Sequence, residues 1–282
     1  MYRGLLFLLS FLTVCPALFA QPPAEGTKSL REKLNKSSKE IAGLKRMTWK
    51  VGDTTREALV HVPATTVSKP ALIFAFHGHG GTAEFSARKF KFHESWPDAI
   101  TVYPQGLPTA APFIDPEGKR AGWQKAIGDQ QDRDLEFYDA LLKSFQKDYG
   151  IDEKKVFVTG HSNGGFFTYV LWAARNDTIA AVAPIAALLD LKDFKGMKPK
   201  PCLHVAGEKD PLVRYQQQIR TIEEIRKLNG CDSTGKPAGT HCTEYPSNKG
   251  TEVITFLHSG GHEIPDGAVQ RIQEFFQAVA KR

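Results

Sequence analysis

Gly160-His161-Ser162-Asn163-Gly164-Gly165 follows the apolar run Val156-Phe157-Val158-Thr159 and precedes Phe166-Phe167-Thr168-Tyr169-Val170-Leu171-Trp172. A β-branched and aromatic run, a G-x-S-x-G pentapeptide and a longer apolar segment read as strand, tight turn and helix. That context is what turns the pattern into a nucleophile elbow. Glycine at 160 and 164 suits the reading, because a serine at the tip of a strained turn needs neighbours without a Cβ. A helix beginning near Asn163 would present free backbone N–H groups and the positive end of its dipole to an oxyanion. The pentapeptide alone also occurs in ordinary strand-to-helix connections, so the surrounding chain has to decide.

On both sides of the elbow, short continuous apolar runs recur: Ala71–Phe76, Ala99–Tyr103, Ala180–Ala183, Cys202–Val205 and Val253–Leu257. Such runs mark strands buried on both faces. Between them lie segments of helical period. Leu135, Tyr138, Leu141, Leu142 and Phe145 share one stripe, Ile219, Ile222, Ile225 and Leu228 a second, and Val269, Ile272, Phe275, Phe276 and Val279 a third. Alternating strands and helices predict an α/β domain, a mostly parallel central sheet with helices on both faces. Ahead of it, Trp49-Lys50-Val51 and Ala58–Pro63 flank the turn signal Gly52-Asp53-Thr54 and predict an antiparallel hairpin at a sheet edge. No internal repeat or low-complexity tract interrupts this plan.

In open α/β sheets, ligands gather beyond the carboxyl ends of the strands, and chemically capable residues follow the apolar runs here. After Phe76 comes His77-Gly78-His79-Gly80-Gly81, a glycine-rich turn of the kind that supplies a second oxyanion donor. The expected oxyanion hole is the backbone N–H of His79 with that of Asn163; His77 is expected to prop the turn. After Val205 comes Gly207-Glu208-Lys209-Asp210-Pro211. Asp210 is placed to fix the tautomer of a histidine, with a capping role alongside, and Glu208 is the rival carboxylate. After Leu257 comes His258-Ser259-Gly260-Gly261-His262. His262, beyond two glycines on a loop, is the expected general base, while His258 at the strand end is expected to be structural. The chain order Ser162, Asp210, His262 is that of the α/β-hydrolases and not of the chymotrypsin or subtilisin types.

The 282 residues, 41% hydrophobic and 24% charged, fit one large domain behind a processed N-terminus. Lys and Arg number 37 against 31 Asp and Glu, a formal +6. No basic run accompanies that mild excess, so surface solubility accounts for it and no nucleic-acid partner is expected. Met1-Tyr2-Arg3, the apolar core Gly4–Val14 and the small residues Ala17 and Ala20 make residues 1–20 an expected signal peptide, cleaved after Ala17 or Ala20. The destination is secreted or periplasmic. A lipid anchor on Cys15 is the alternative, disfavoured by Val14 where a small residue is wanted, and no other stretch is long and apolar enough to anchor the chain in a bilayer. Residues 21–47 are charged with a thin apolar stripe, a linker or loosely docked helix, and the catalytic domain is expected over 48–282. Export makes the cysteines informative. Cys231 and Cys242 bracket a turn-rich segment and form the expected disulfide, a closure worth up to ~3 kcal/mol on chain entropy. Cys202 is expected to be a buried thiol. Cys231, His241 and Cys242 lack a fourth ligand at metal-site spacing, and no metal or organic cofactor is expected.

With these residues in view, the chain resembles the polyhydroxybutyrate-depolymerase-type esterases, a group close to bacterial feruloyl and acetyl-xylan esterases. Residues 160–165 and 77–81, Tyr103-Pro104-Gln105-Gly106, Ala121-Gly122-Trp123-Gln124 and Gly207–Pro211 carry the similarity, which spans nearly all of 48–282. It implies a secreted α/β-hydrolase with a Ser162, Asp210, His262 triad; polysaccharide-linked or polyester and oligomeric esters are the expected substrates, and a monomer is expected. The chain departs from the group in having His79 where many relatives have a small residue or Cys, and in carrying no appended substrate-binding module. Asp132 and Asp134 are expected to cap the helix before the elbow. Trp123 and Tyr103 are expected either to stack against substrate or to pack the core edge. A serine peptidase of the same fold and a non-catalytic carbohydrate-binding domain are the rival readings.

Overall fold

The computed structural model describes residues 41–65, 67–190 and 192–282. The expected signal peptide and most of the expected linker lie outside these residues. In chain order the main elements are β1 (Lys45–Val51), β2 (Thr54–His61), β3 (Leu72–Phe76), α1 (Ala83–Phe90), α2 (Phe92–Ser95), β4 (Ile100–Pro104), β5 (Leu107–Pro108), β6 (Ala121–Gly122) and α3 (Arg133–Tyr149). There follow β7 (Val156–His161), α4 (Asn163–Ala174), β8 (Ala181–Ile185), β9 (Cys202–Gly207), α5 (Tyr215–Asn229), β10 (Lys236–Pro237), β11 (Cys242–Tyr245), β12 (Val253–His258) and α6 (Ala268–Ala280).

Ten strands form one sheet in the order β1-β2-β4-β3-β7-β8-β9-β12-β11-β10. The six strands from β4 to β12 run parallel, and antiparallel pairs close each edge. The central runs are buried along their whole length because helices cover both faces, as a parallel sheet requires. One face packs Leu141 and Phe145 of α3, Phe167 and Trp172 of α4 and Ile225 of α5 over Phe74, Val102 and Val158. The other packs Phe90 of α1, Phe92 of α2 and Phe276 of α6 over Ile73, Phe157 and Leu203. Among the described residues no helix is long and apolar enough to cross a membrane.

Two expectations need correction. The first strand begins at Lys45, and Ile41 and Leu44 already pack against the core, so the domain starts before residue 48. Cys231 and Cys242 are free thiols. Residues 236–245 form the β10–β11 hairpin, which sets Cys242 opposite Phe256 on one face of the sheet, while Cys231 packs with the core of the other face. A short turn-rich spacer brought the two cysteines close in sequence but put the sheet between them. Cys202 is buried, as its place in a strand implies.

Candidate active site

The elbow is built by the close approach the glycines permit. Ser162, between β7 and α4, has φ 54° and ψ −121°, a left-handed backbone that costs a non-glycine residue roughly 1–3 kcal/mol and persists only where its surroundings enforce it. A Cβ at Gly160 would strike the backbone of Gly164, and one at Gly164 the carbonyl of Phe76. Ser162 N–H donates to Ile185 O at 2.9 Å and its carbonyl accepts from Phe166 N–H at 2.9 Å. The backbone is therefore pinned on both sides.

Beside it lies the 77–81 turn, so close that a Cβ on Gly78 would stand 3.4 Å from the Ser162 Cβ. His77 is buried and props this turn: Nδ1–H donates to Gly78 O at 2.7 Å, Nε2 accepts from Gly106 N–H at 2.9 Å, and burial pushes its imidazole down to about 4. Among the described residues, neither the His79 nor the Asn163 backbone N–H has an acceptor. Both residues line a cavity with Ser162, and neither N–H is committed elsewhere. The His79 ring turns aside, with Nε2 3.0 Å from Asp115 Oδ2. Asp115 also accepts from Arg120 N–H at 2.8 Å and Lys119 N–H at 3.1 Å, the first of which does most to hold its carboxyl below the usual range.

Asp210 and His262 come from the loops after β9 and β12. Asp210 Oδ2 lies 2.8 Å from His262 Nδ1, and Oδ1 accepts from Leu212 N–H and Val213 N–H, both at 2.8 Å. The carboxylate thus caps the Pro211–Val213 turn while facing the imidazole. Helix α5 starts later, with Arg214 at its N-cap. Glu208 is exposed and takes no part. His258 is buried at the strand end, accepting from Gly260 N–H at 3.2 Å, and burial lowers its imidazole. Ser162 Oγ makes no hydrogen bond to His262 among the described residues, but both line one cavity of about 490 Å³ with Gly78, Arg120 and His161. Catalytic hydrogen bonds of this kind often tighten only in the complex with substrate.

Behind Asp210 runs a buried polar chain that the sequence did not disclose. Gln218 Nε2 donates to Val213 O at 2.7 Å and to Asp210 Oδ2 at 3.4 Å, so its Oε1 is left to accept from His204 Nε2–H at 3.2 Å. His204 Nδ1 then accepts from Tyr169 O–H at 2.6 Å. Burial pushes the His204 imidazole down to about 4, which keeps it neutral with the proton on Nε2. Every donor in the chain points toward the carboxylate, and in a low-dielectric interior such bonds reinforce one another. His161, next to the serine, lies against His262 with ring centroids 4.9 Å apart and the planes tilted by 47°, and burial first and the neighbouring His262 second bring it to about 4.

Trp123 and Tyr103 do not reach the cavities. Both are fully buried. Trp123 packs on Phe76 and Phe167, donates Nε1–H to His77 O at 2.9 Å, and is clamped through its backbone by the Asn163 amide. Tyr103 bonds His93 Nδ1 at 2.9 Å. Of the two expected roles, the core holds them. Asp132 stands at the N-cap of α3, yet its carboxylate accepts from Gly128 N–H and Gln124 and not from that helix. Asp134 pairs with buried Arg56 at 2.8 Å. Among the described residues no three His, Cys, Asp or Glu side chains gather as a metal-binding group.

A second cavity, about 480 Å³, opens on the Asn163 side of Ser162, walled by Pro112, Phe113, Ile114, Phe166 and Leu212. The sheet order, the strained serine between β7 and α4 and the loops after β9 and β12 define an α/β-hydrolase. Solved structures share the fold: an acetyl xylan esterase from Aspergillus awamori (TM-score 0.63, 16% identity, 83% of this chain and 99% of that one) and a Bacillus cereus carboxylesterase (TM-score 0.53, 19% identity, 88% and 99%). No protein-family model matches the chain. In sequence it is 30% identical over 215 residues to a probable feruloyl esterase C of Aspergillus oryzae (74% of this chain, 76% of the relative) and 29% identical over 238 residues to feruloyl esterase C of Emericella nidulans (79% and 84%). A bifunctional acetylxylan esterase/xylanase of Neocallimastix patriciarum is 25% identical over 234 residues, 78% of this chain and 33% of that protein. The chain belongs to the feruloyl and acetylxylan esterase family and is a carboxylic ester hydrolase. These relatives lend no support to a polyhydroxybutyrate substrate.

Proposed function

We propose that the protein hydrolyses feruloyl or acetyl esters of plant polysaccharide by two-step acyl transfer through Ser162. His262 takes the hydroxyl proton as Ser162 Oγ bonds to the ester carbonyl carbon. The oxyanion settles against the N–H groups of His79 and Asn163. Collapse breaks the ester C–O bond, and the alcohol leaves with the proton from His262. Water, deprotonated by the same imidazole, then attacks the acyl-enzyme, the acid departs and Ser162 recovers its proton. Asp210 accepts from His262 Nδ1–H, which directs the lone pair of Nε2 to the serine and steadies the imidazolium.

The observation that carries this reading is the 2.8 Å Asp210–His262 pair, whose imidazole opens onto the cavity that Ser162 also lines. His262 lines the 490 Å³ cavity and not the 480 Å³ one. An alcohol that leaves with a proton from His262 must depart on that side, so the acyl group takes the Asn163 side. Residues 1–20 act as an export signal that delivers a monomeric catalytic domain to extracellular or periplasmic substrate.

Initial rates on methyl ferulate and acetylated xylan test the reading. The wild type is expected to hydrolyse at least one, and Ser162→Ala to lose at least about 10³-fold in turnover. Hydrolysis of neither ester, or a Ser162→Ala variant near wild type, contradicts it.

A further inference from the structure

Four of the five large hydrophobic side chains most exposed among the described residues stand around Ser162. Phe113 (98% exposed), Leu212 (63%), Ile114 (52%) and Phe85 (46%) all line its two cavities. Contiguous exposed apolar surface of this kind marks a place where a ligand is covered. Among these apolar walls, on the Asn163 side, stand two cations, Lys125 and Arg214.

Neither cation is held in an ion pair. Among the described residues, Lys125 Nζ and the Arg214 guanidinium form no ion pair within 4.0 Å and no side-chain hydrogen bond. No Asp or Glu lines either cavity. Asp129 acts on Lys125 through space without an ion pair, its carboxylate held instead by the backbone N–H groups of Lys125 and Ala126. Arg120, on the His262 side, differs: it bonds Ile114 O at 2.6 Å and lies 3.8 Å from Asp115. Lys125 is half-buried, and a charge part-way out of water without a partner is a cost that a bound anion would remove.

We infer that the acyl-side cavity also takes, beside the acyl groups proposed above, an aromatic acyl group bearing an anionic oxygen group, a carboxylate above all, at the end remote from the ester, with Lys125 and Arg214 as its specificity determinants. The apolar walls take the ring and the two cations take the charge. This rests on the acyl-transfer reading above and on the cavity assignment made there.

The test compares kcat/KM for methyl cinnamate and for the same ester carrying a para-carboxylate on the ring. The wild type is expected to favour the carboxylated ester about tenfold at low ionic strength, and less in 0.5 M salt, since two partly exposed ion pairs supply the preference and salt screens them. Lys125→Met and Arg214→Met are each expected to lower the ratio of the two kcat/KM values about threefold, and Lys125→Arg to keep it. The ratio cancels any loss of folded enzyme. A wild-type ratio of one or below, or a ratio unmoved in the double methionine variant, overturns the inference while leaving the esterase intact. So does a preference that emerges only when the carboxylate sits on the alcohol part. Hydrolysis of neither ester overturns this inference, and the acyl-transfer reading falls with it only where methyl ferulate and acetylated xylan are left intact as well.

Discussion

Asp134 and Asp210 are two buried carboxylates, each holding several donors, and only one is bonded to a side chain that lines a cavity. Asp134 is closed off by Arg56, itself 2% exposed, by Gln124 N–H at 2.9 Å and by the Phe137 ring, over which Arg56 lies at 4.3 Å. A guanidinium gives up no proton near neutrality, so that pair ties β2 to α3 and can do no more. Asp210 takes neutral donors on every side but one, and the remaining partner is an imidazole with a second nitrogen to spare. A buried carboxylate therefore becomes chemistry through what its partner can pass on.

The contrast is broken most directly by Asp210→Asn. The amide keeps an oxygen for the Leu212 and Val213 N–H groups but turns a donor toward His262 and imposes the wrong tautomer. Turnover is expected to fall about 10⁴-fold with folding preserved; a loss under tenfold would place Asp210 with Asp134 as a structural carboxylate. Asp134→Ala is expected to act the other way. It strands a buried arginine and costs about 3–5 kcal/mol in urea unfolding, while turnover per folded molecule stays within about threefold.

Acid adds a second test, because His77, His161 and His204 are all buried uncharged. Each binds a proton near pH 6.5 when unfolded and only near 4 when folded. In that window the unfolded chain holds more protons, so stability rises with pH. It is full above about 6.5 and lost as the pH falls toward 4, by up to ~1.4 kcal/mol per pH unit for each ring. Urea midpoints between pH 7 and 4.5 measure this, and a flat profile contradicts it. The smallest effect belongs to Gln218→Leu, which removes one donor from Asp210 and is expected to lower kcat about tenfold at constant KM.

The central strands and the three long helices were legible because continuous apolar runs and 3.6-residue stripes survive in any α/β protein with a doubly covered sheet. That Ser162, Asp210 and His262 lie beyond strand ends was legible because each follows its own apolar run. The rest depended on where loops fold back. Trp123 sits in a loop by sequence, yet the Asn163 amide draws that loop over Phe76 and buries the indole. Phe113, Ile114 and Leu212, which wall the cavities, have no periodic neighbours to give them away. His204 and Gln218 read as ordinary strand and helix residues until the fold aligns them behind Asp210. Cys231 and Cys242 misled because spacing says nothing about which face of the sheet each occupies.

The nucleophile is the claim on which the whole mechanism stands, and covalent labelling reads it out without a choice of substrate. Treated with a fluorophosphonate and digested, the folded protein is expected to carry one adduct, on Ser162, abolished in Ser162→Ala and strongly slowed in His262→Ala. An adduct on another residue, or none on a folded protein that still hydrolyses esters, would contradict the account.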